Sequence, residues 1–452
     1  MRARLQDRLA MIRARIGMLM SGDSLLPRAF RSSILTLVSF GGQQGIRLAS
    51  NLILTRLLFP EVFGLMAIIM VVIIGLTTFS DVGIGPAILQ SKRGDDQKFL
   101  DTAYTMQAVR GVVLWICCCI MAVPAARFYE VPELVWYLPV AGLTTIIYGL
   151  LPTTVESANR HLKMGRLTLV ELLSVFIGTS VTIILAALMG SAWALVIGLL
   201  LGAIIKVILV LRLLPGPRNR FTWDRSAAQE LISFGKWIVP STVVGFALSQ
   251  GDKAVLGRYL TLTELGIYNI AFFLASFPQM LATAIISRLM IPVYRDLNED
   301  PSPHRKRRMR VMRAGMTAMV MLMLAAVATW AVPLVEFLYD DRYRDAGGLV
   351  TLVALTSIPP VIVMTYDQGA LAVGDSRGFF WLTFVRAVLF MACFVTGAHY
   401  GGIPGALLGQ AVAAILAYPM LVRLARRSGV WDGWHDLTFA ILGLILAWLL
   451  LG

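Results

Sequence analysis

The sequence predicts an all-α polytopic membrane protein of two parallel-repeat six-helix bundles, with twelve transmembrane helices and room for a thirteenth. Three observations predict it. The 452 residues are 58% hydrophobic and only 15% charged, against roughly a quarter charged in a soluble chain. Apolar runs of about 20 residues recur throughout, each long enough to cross about 30 Å of hydrocarbon. Charged, glycine and proline positions of the first half also return in order in the second.

The apolar runs place spans at 32–56, 62–86, 103–127, 134–154, 167–189, 191–212, 233–257, 265–290, 312–337, 347–369, 378–399 and 402–422. The last run, Leu437 to Leu451, is short; it suits either a thirteenth span or an interfacial helix. The implied organisation is a basic segment (1–31), a first bundle (32–213), a linker (214–232), a second bundle (233–427) and an apolar tail (428–452). In the basic segment Leu5, Leu9, Ile12, Ile16 and Leu19 recur at helical spacing among arginines, as on an amphipathic helix lying on an anionic membrane. A frayed basic tail fits the same residues. No cleavable signal peptide is expected at this end.

The net charge is +14. Topology explains it better than nucleic acid does, because the loops hold most of it. With the N-terminus in the cytoplasm, 29 of the 40 Lys and Arg fall on the inner side and 5 on the outer, a strong positive-inside asymmetry. The cluster Arg305, Lys306, Arg307 and Arg308 is then an orientation anchor.

The internal repeat is carried by matched positions. Arg56 and Gly64 correspond to Arg258 and Gly266, Pro124 to Pro333, and Gly190, Gly198 and Arg212 to Gly401, Gly409 and Arg423. Six spans per repeat is an even number, so both halves keep one orientation. Transporters use such repeats to hold a substrate site between two rocking bundles.

Charges near mid-membrane are costly, about 2.5–3.5 kcal/mol on insertion scales, so they face a cavity or a partner. On the first span Gln43, Gln44, Arg47, Ser50 and Asn51 share one helical face. An entirely polar face suits a cavity, and the Arg47 guanidinium suits phosphate oxygens. The matching span of the second half carries Ser249, Asp252 and Lys253; the eighth carries Asn269, Ser276, Gln279, Thr283 and Ser287, with Arg288 at its inner end. The candidate substrate-binding residues are therefore Arg47, Gln43, Gln44, Asn51, Lys253, Arg288, Asn269 and Gln279. Asp81 and Asp252 are the candidates for coupling to a proton or cation. Structural readings compete with each: Arg110, Lys206 and Arg288 could snorkel to water, and Asp252 and Lys253 could glue helices. Glu171, Asp367 and Arg386 read best as structural partners.

Chemistry-bearing motifs are missing. Gly235-Lys236 lacks the upstream glycine of a phosphate-binding loop. The four histidines have no metal-ligand spacing, and Cys117, Cys118, Cys119 and Cys393 lie in apolar runs as core residues. No catalytic residue, metal or cofactor is expected, and no nucleic-acid partner.

The segment Leu54–Ala67 (LTRLLFPEVFGLMA), followed by Phe79–Gln90 (FSDVGIGPAILQ), resembles the start of the polysaccharide-transport, Wzx-type oligosaccharide flippases of the multidrug/oligosaccharidyl-lipid/polysaccharide (MOP) superfamily. Asp252–Leu260 (DKAVLGRYL) and Leu265–Ile270 (LGIYNI) resemble it in the second half. The resemblance implies a V-shaped pair of bundles working by alternating access. It implies an undecaprenyl-diphosphate-linked oligosaccharide as substrate, carried to the periplasmic leaflet of the bacterial inner membrane. It implies a basic cavity, which Arg47, Lys253 and Arg288 fit by position. Membrane lipids, and a polysaccharide polymerase with its export machinery, are the partners it suggests. Many relatives have fourteen spans, more than this chain. The competing classes are an ion-coupled small-molecule exporter, which calls for acidic and aromatic cavity walls, and a membrane glycosyltransferase or ligase. The latter needs carboxylates near a large loop, where only Asp340, Asp341 and Asp345 are available.

Overall fold

A computed structural model describes residues 25–81, 83–216, 218–235, 239–299 and 302–451. Most of the basic amphipathic segment expected over 1–31 therefore lies outside the described residues. Among the described residues every regular element is helical, with no strand. Lipid enforces this, because a helix satisfies its own backbone where water is absent.

Among the described residues nine helices are long and apolar enough to cross a membrane, or up to eleven if each bent pair is one span. The 52-residue helix Ser376–Arg427 is two helices merged across a kink at Gly401 and Gly402, where two separate spans are expected. Gly402 has φ 56°, a backbone that favours glycine. The first described helix, α1 (Leu25–Leu57), is not among the nine; its arginines and amides lower its hydropathy. The final apolar run forms a helix Gly433–Leu451 of 19 residues, long enough to span.

The outward faces are apolar. Leu188, Phe337 and Trp434 are 78%, 81% and 81% exposed, which suits lipid and not water.

The helices pack into two compact units. The first holds the described residues to Leu57, with Phe79–Arg127 and Val131–Val239. The second holds Leu58–Thr78, Phe128–Glu130 and everything from Pro240 onward. The helix α2 (Pro60–Phe79) is thus packed almost wholly with the second unit.

In the first unit, the helices Met164–Met189 and Ala192–Leu213 follow one another and pack together, and α1 packs on the former. The stretch expected as a linker is pinned here by polar contacts. Asp101 Oδ1 accepts from the Arg220 backbone N–H at 3.1 Å, and Thr105 Oγ donates to the Thr222 carbonyl at 3.0 Å. Leu231 of helix Arg225–Gly235 is buried in an apolar cluster with Ile84, Ile88 and Phe99.

In the second unit, α2 and α3 (Leu262–Glu299) cross with reciprocal contacts. A Cβ on Gly64 would meet the Leu262 carbonyl oxygen at 2.0 Å, and one on Gly266 the Pro60 carbonyl oxygen at 1.9 Å. Thr263 Oγ donates to Glu61 at 2.7 Å. Glu61 and Thr263 lie 202 residues apart, and the same offset takes Pro60 to Leu262 and Gly64 to Gly266, exchanging the two glycine contacts. Residue i touching j while j touches i is the mark of a two-fold relation, so the duplication read in the sequence is built into this crossing.

The tenth expected span is broken into Ala346–Thr356, Ile358–Val363 and Asp367–Ala372. Pro359 and Pro360 lie at the first break, where each lacks the N–H a continuous helix needs. Helix Gly433–Leu451 docks by a buried carboxylate. Asp436 accepts from the Tyr366 and Tyr418 hydroxyls at 2.8 and 2.7 Å and lies 2.9 Å from His435 Nδ1.

Candidate functional site

In the first unit the polar stripe of α1 divides into tied and open residues. Gln43 Nε2 donates to Ser39 Oγ at 3.0 Å and to Glu171 at 3.4 Å, and Ser39 Oγ donates to Glu171 at 2.7 Å. Glu171 is thus a partner of the stripe. Gln44 is buried and Asn51 half-buried, and both make polar contacts. Arg47 is exposed and lies within electrostatic range of the Tyr148 phenol. Lys206 sits over that same ring, its ammonium 5.7 Å from the centroid. Two cations therefore flank one tyrosine.

Asp81, a candidate for ion coupling, is engaged locally. Its Oδ1 accepts from the Gly83 N–H at 2.9 Å and lies 4.0 Å from an Arg110 nitrogen. Arg110 also donates to Ser80 Oγ at 3.0 Å. The Asp stabilises the turn at Gly83, which has φ 63°.

The second unit holds a cavity of about 370 Å³, at the small end of the range for ligand pockets. Of the candidates, Asp252 and Gln279 line it. Asp252 is 5% exposed and accepts from the Tyr268 hydroxyl at 2.9 Å. Lys253 is turned elsewhere: its ammonium lies 5.5 Å from the centroid of Phe272, whose ring lines the cavity. Asn269 is half-buried on α3, and the lining does not include it. The Arg288 side chain lies outside the described residues.

Asp367 and Arg386 also line the cavity and form an ion pair, Arg386 Nη1 lying 2.8 and 2.9 Å from the two carboxylate oxygens. Two residues read from the sequence as structural thus pair with one another in a cavity wall. Gln368, Gln410 and Tyr418 join Ser276, Thr283 and Ser357 in the polar lining, and sequence reasoning missed the first three. Gln410 and Tyr418 are lone polar residues in apolar runs, and Gln368 directly follows Asp367. The signal that could have found them is the one used for Arg47, a polar group at membrane depth, but no polar stripe surrounds them.

The long apolar helices and the polar residues buried among them are those of a polytopic membrane protein. Its fold is that of the MOP superfamily. A lipid II flippase MurJ structure in an inward closed conformation aligns at TM-score 0.69 and 13% identity, over 92% of this chain and 91% of that one. An inward-facing multidrug resistance MATE transporter of the MOP superfamily aligns at TM-score 0.64 and 14% identity, over 95% and 98%.

A family model described as polysaccharide biosynthesis protein matches residues 53–347. The chain belongs to that family. Similar proteins include the succinoglycan biosynthesis transport protein ExoT of Rhizobium meliloti, 23% identical over 82% of this chain and 74% of the relative. The lipopolysaccharide biosynthesis protein WzxC of Escherichia coli is 21% identical over 84% and 78%.

Proposed function

We propose that the protein is a flippase that moves an undecaprenyl-diphosphate-linked oligosaccharide from the cytoplasmic to the periplasmic leaflet, for exopolysaccharide or O-antigen-type polysaccharide synthesis. The family membership carries this reading, because its named relatives serve polysaccharide transport and biosynthesis. The exposed Arg47, beside Tyr148 and Lys206, supports it with a cationic surface for a diphosphate. The protein works by alternating access in the bacterial inner membrane, with its N-terminus in the cytoplasm, and performs no covalent chemistry. A polymerase and export machinery take up the product. An Arg47→Ala variant should insert normally yet leave lipid-linked glycan on the inner leaflet; normal export by that variant removes Arg47 from the mechanism.

A second reading, an ion-coupled small-molecule exporter, draws on the fold shared with multidrug transporters. Buried Asp252 would then be its coupling group. The lining has the acidic and aromatic residues such an exporter needs, in Asp252, Asp367, Phe272, Phe390 and Tyr418; Arg386 on Asp367 and the three glutamines fit a sugar better than a lipophilic cation.

A further inference from the structure

We infer that the cavity of the second unit is a subsite for an uncharged sugar residue of the substrate, distinct in chemistry from the cationic surface of the first unit. This rests on the flippase reading above.

The key observation is unused hydrogen-bonding capacity. Gln279, Gln368 and Gln410 line the cavity, all half-buried, and among the described residues their side-chain amides have no hydrogen-bond partner. Each amide carries two donors and a two-lone-pair acceptor. All three amides reach the cavity, so a ligand that displaces water from it must answer both kinds of group. Hydroxyls answer both kinds of group at once, as an apolar ligand or a bare cation does not.

The charged groups lead to the same ligand. Asp367 and Arg386 neutralise one another, and both contacts use Arg386 Nη1. Nε and Nη2 keep their donors for the cavity, beside carboxylate oxygens that still accept. A donor fork next to an acceptor suits neighbouring hydroxyls on a ring. Asp252 is the remaining ionisable carboxylate or base in the lining, and Lys253 stays outside it. With no surplus positive charge, the cavity repels a diphosphate. Phe272 and Phe390 supply apolar faces for the C–H surface of a sugar, and the Tyr418 hydroxyl is held by Asp436 at 2.7 Å. A volume of about 370 Å³ leaves room for a sugar ring.

The test uses the purified full chain in lipid nanodiscs. The probe is the repeat-unit oligosaccharide released from the host's own surface polysaccharide, with inorganic pyrophosphate as competitor. Binding is read by saturation-transfer NMR. The variants are Gln410→Leu and the double variant Gln368→Leu with Gln410→Leu, which keep volume and remove hydrogen bonding. The wild type should bind the oligosaccharide, pyrophosphate should not displace it, and the double variant should bind at least tenfold more weakly. Should the double variant fail to fold, Gln410→Leu alone should still weaken binding severalfold. Absent binding by wild type, displacement by pyrophosphate, or unchanged binding by a folded variant overturns the inference. Flipping of the lipid-linked oligosaccharide in vesicles separates the two readings. Sugar binding without flipping sinks the flippase and leaves the subsite; flipping at wild-type rate by the double variant sinks the subsite and leaves the flippase.

Discussion

The two units treat their membrane-buried charges in opposite ways. In the first, the carboxylate of Glu171 is occupied by Ser39 and Gln43, while Arg47 stays exposed. In the second, Arg386 is held by Asp367 and the cavity is lined by three glutamine amides, while outside the cavity the buried Arg313 keeps Nε and Nη1 without a hydrogen-bond partner among the described residues. One duplicated template therefore carries a cationic surface in one copy and a neutral, hydroxyl-matching cavity in the other. The duplication is visible in one reciprocal helix crossing, at Gly64 and Gly266, while the polar chemistry of the two units differs. That division fits a substrate with a charged head and an uncharged glycan.

A shared template underlies the contrast, and the sharpest way to break it is at the reciprocal crossing. Gly266→Val places carbon atoms against the Pro60 carbonyl oxygen, where a Cβ already has only 1.9 Å. It should destabilise the folded protein by about 3 kcal/mol, read as a fall in the thermal unfolding midpoint in detergent. Unchanged stability would mean that the crossing is not close-packed. Next, Asp367→Asn removes the partner of Arg386 and leaves its guanidinium free to face an anion in the second unit's cavity. A half-buried pair broken from one side should cost about 1–3 kcal/mol, and pyrophosphate should begin to compete with the oligosaccharide. If anion affinity does not rise, the pair is not what keeps the cavity neutral.

A smaller effect is expected at the last helix. Asp436→Asn weakens the contacts to Tyr366 and Tyr418 by about 1–2 kcal/mol and should raise amide exchange in Gly433–Leu451. Unchanged exchange would show that apolar contacts alone dock the helix. The smallest effect is pH-dependent and belongs to a loop of the first unit. The hydrogen bond to His161 holds the Asp95 carboxyl below its ordinary value of 3.8, with Arg160 adding to the effect. A lowered carboxylate contributes its stability fully above pH 3.8 and loses it as the pH falls through the lower folded value. Both side chains are about half exposed, so Asp95→Asn should shift stability at pH 7 by under about 1 kcal/mol. Acid titration of the two proteins should converge only below that range.

Much of the fold was legible because lipid imposes simple rules. Apolar length located the helices, and the repeat was visible in Gly64 and Gly266, positions where a side chain cannot fit. The helix breaks around Pro359 and Pro360 were less legible, because the run stays apolar through them. The grouping of Leu58–Thr78 with the second unit is set by tertiary packing, which no local pattern records. Of the site residues, Arg47 stood out because a whole helical face is polar around it. Gln368, Gln410 and Tyr418 are scattered over the chain and converge only in the fold. Asp367 and Arg386 were visible as charges, but their place in a cavity wall was not.

Transport of a lipid-linked oligosaccharide is what both surfaces would serve, and reconstitution decides whether it occurs. Purified protein in vesicles carrying fluorescently labelled lipid-linked oligosaccharide in both leaflets should expose nearly all of the label to an external quencher or glycosidase over time. Empty vesicles should expose only about half. Protein-containing vesicles that also stop at half, with the protein folded and inserted, would rule transport out.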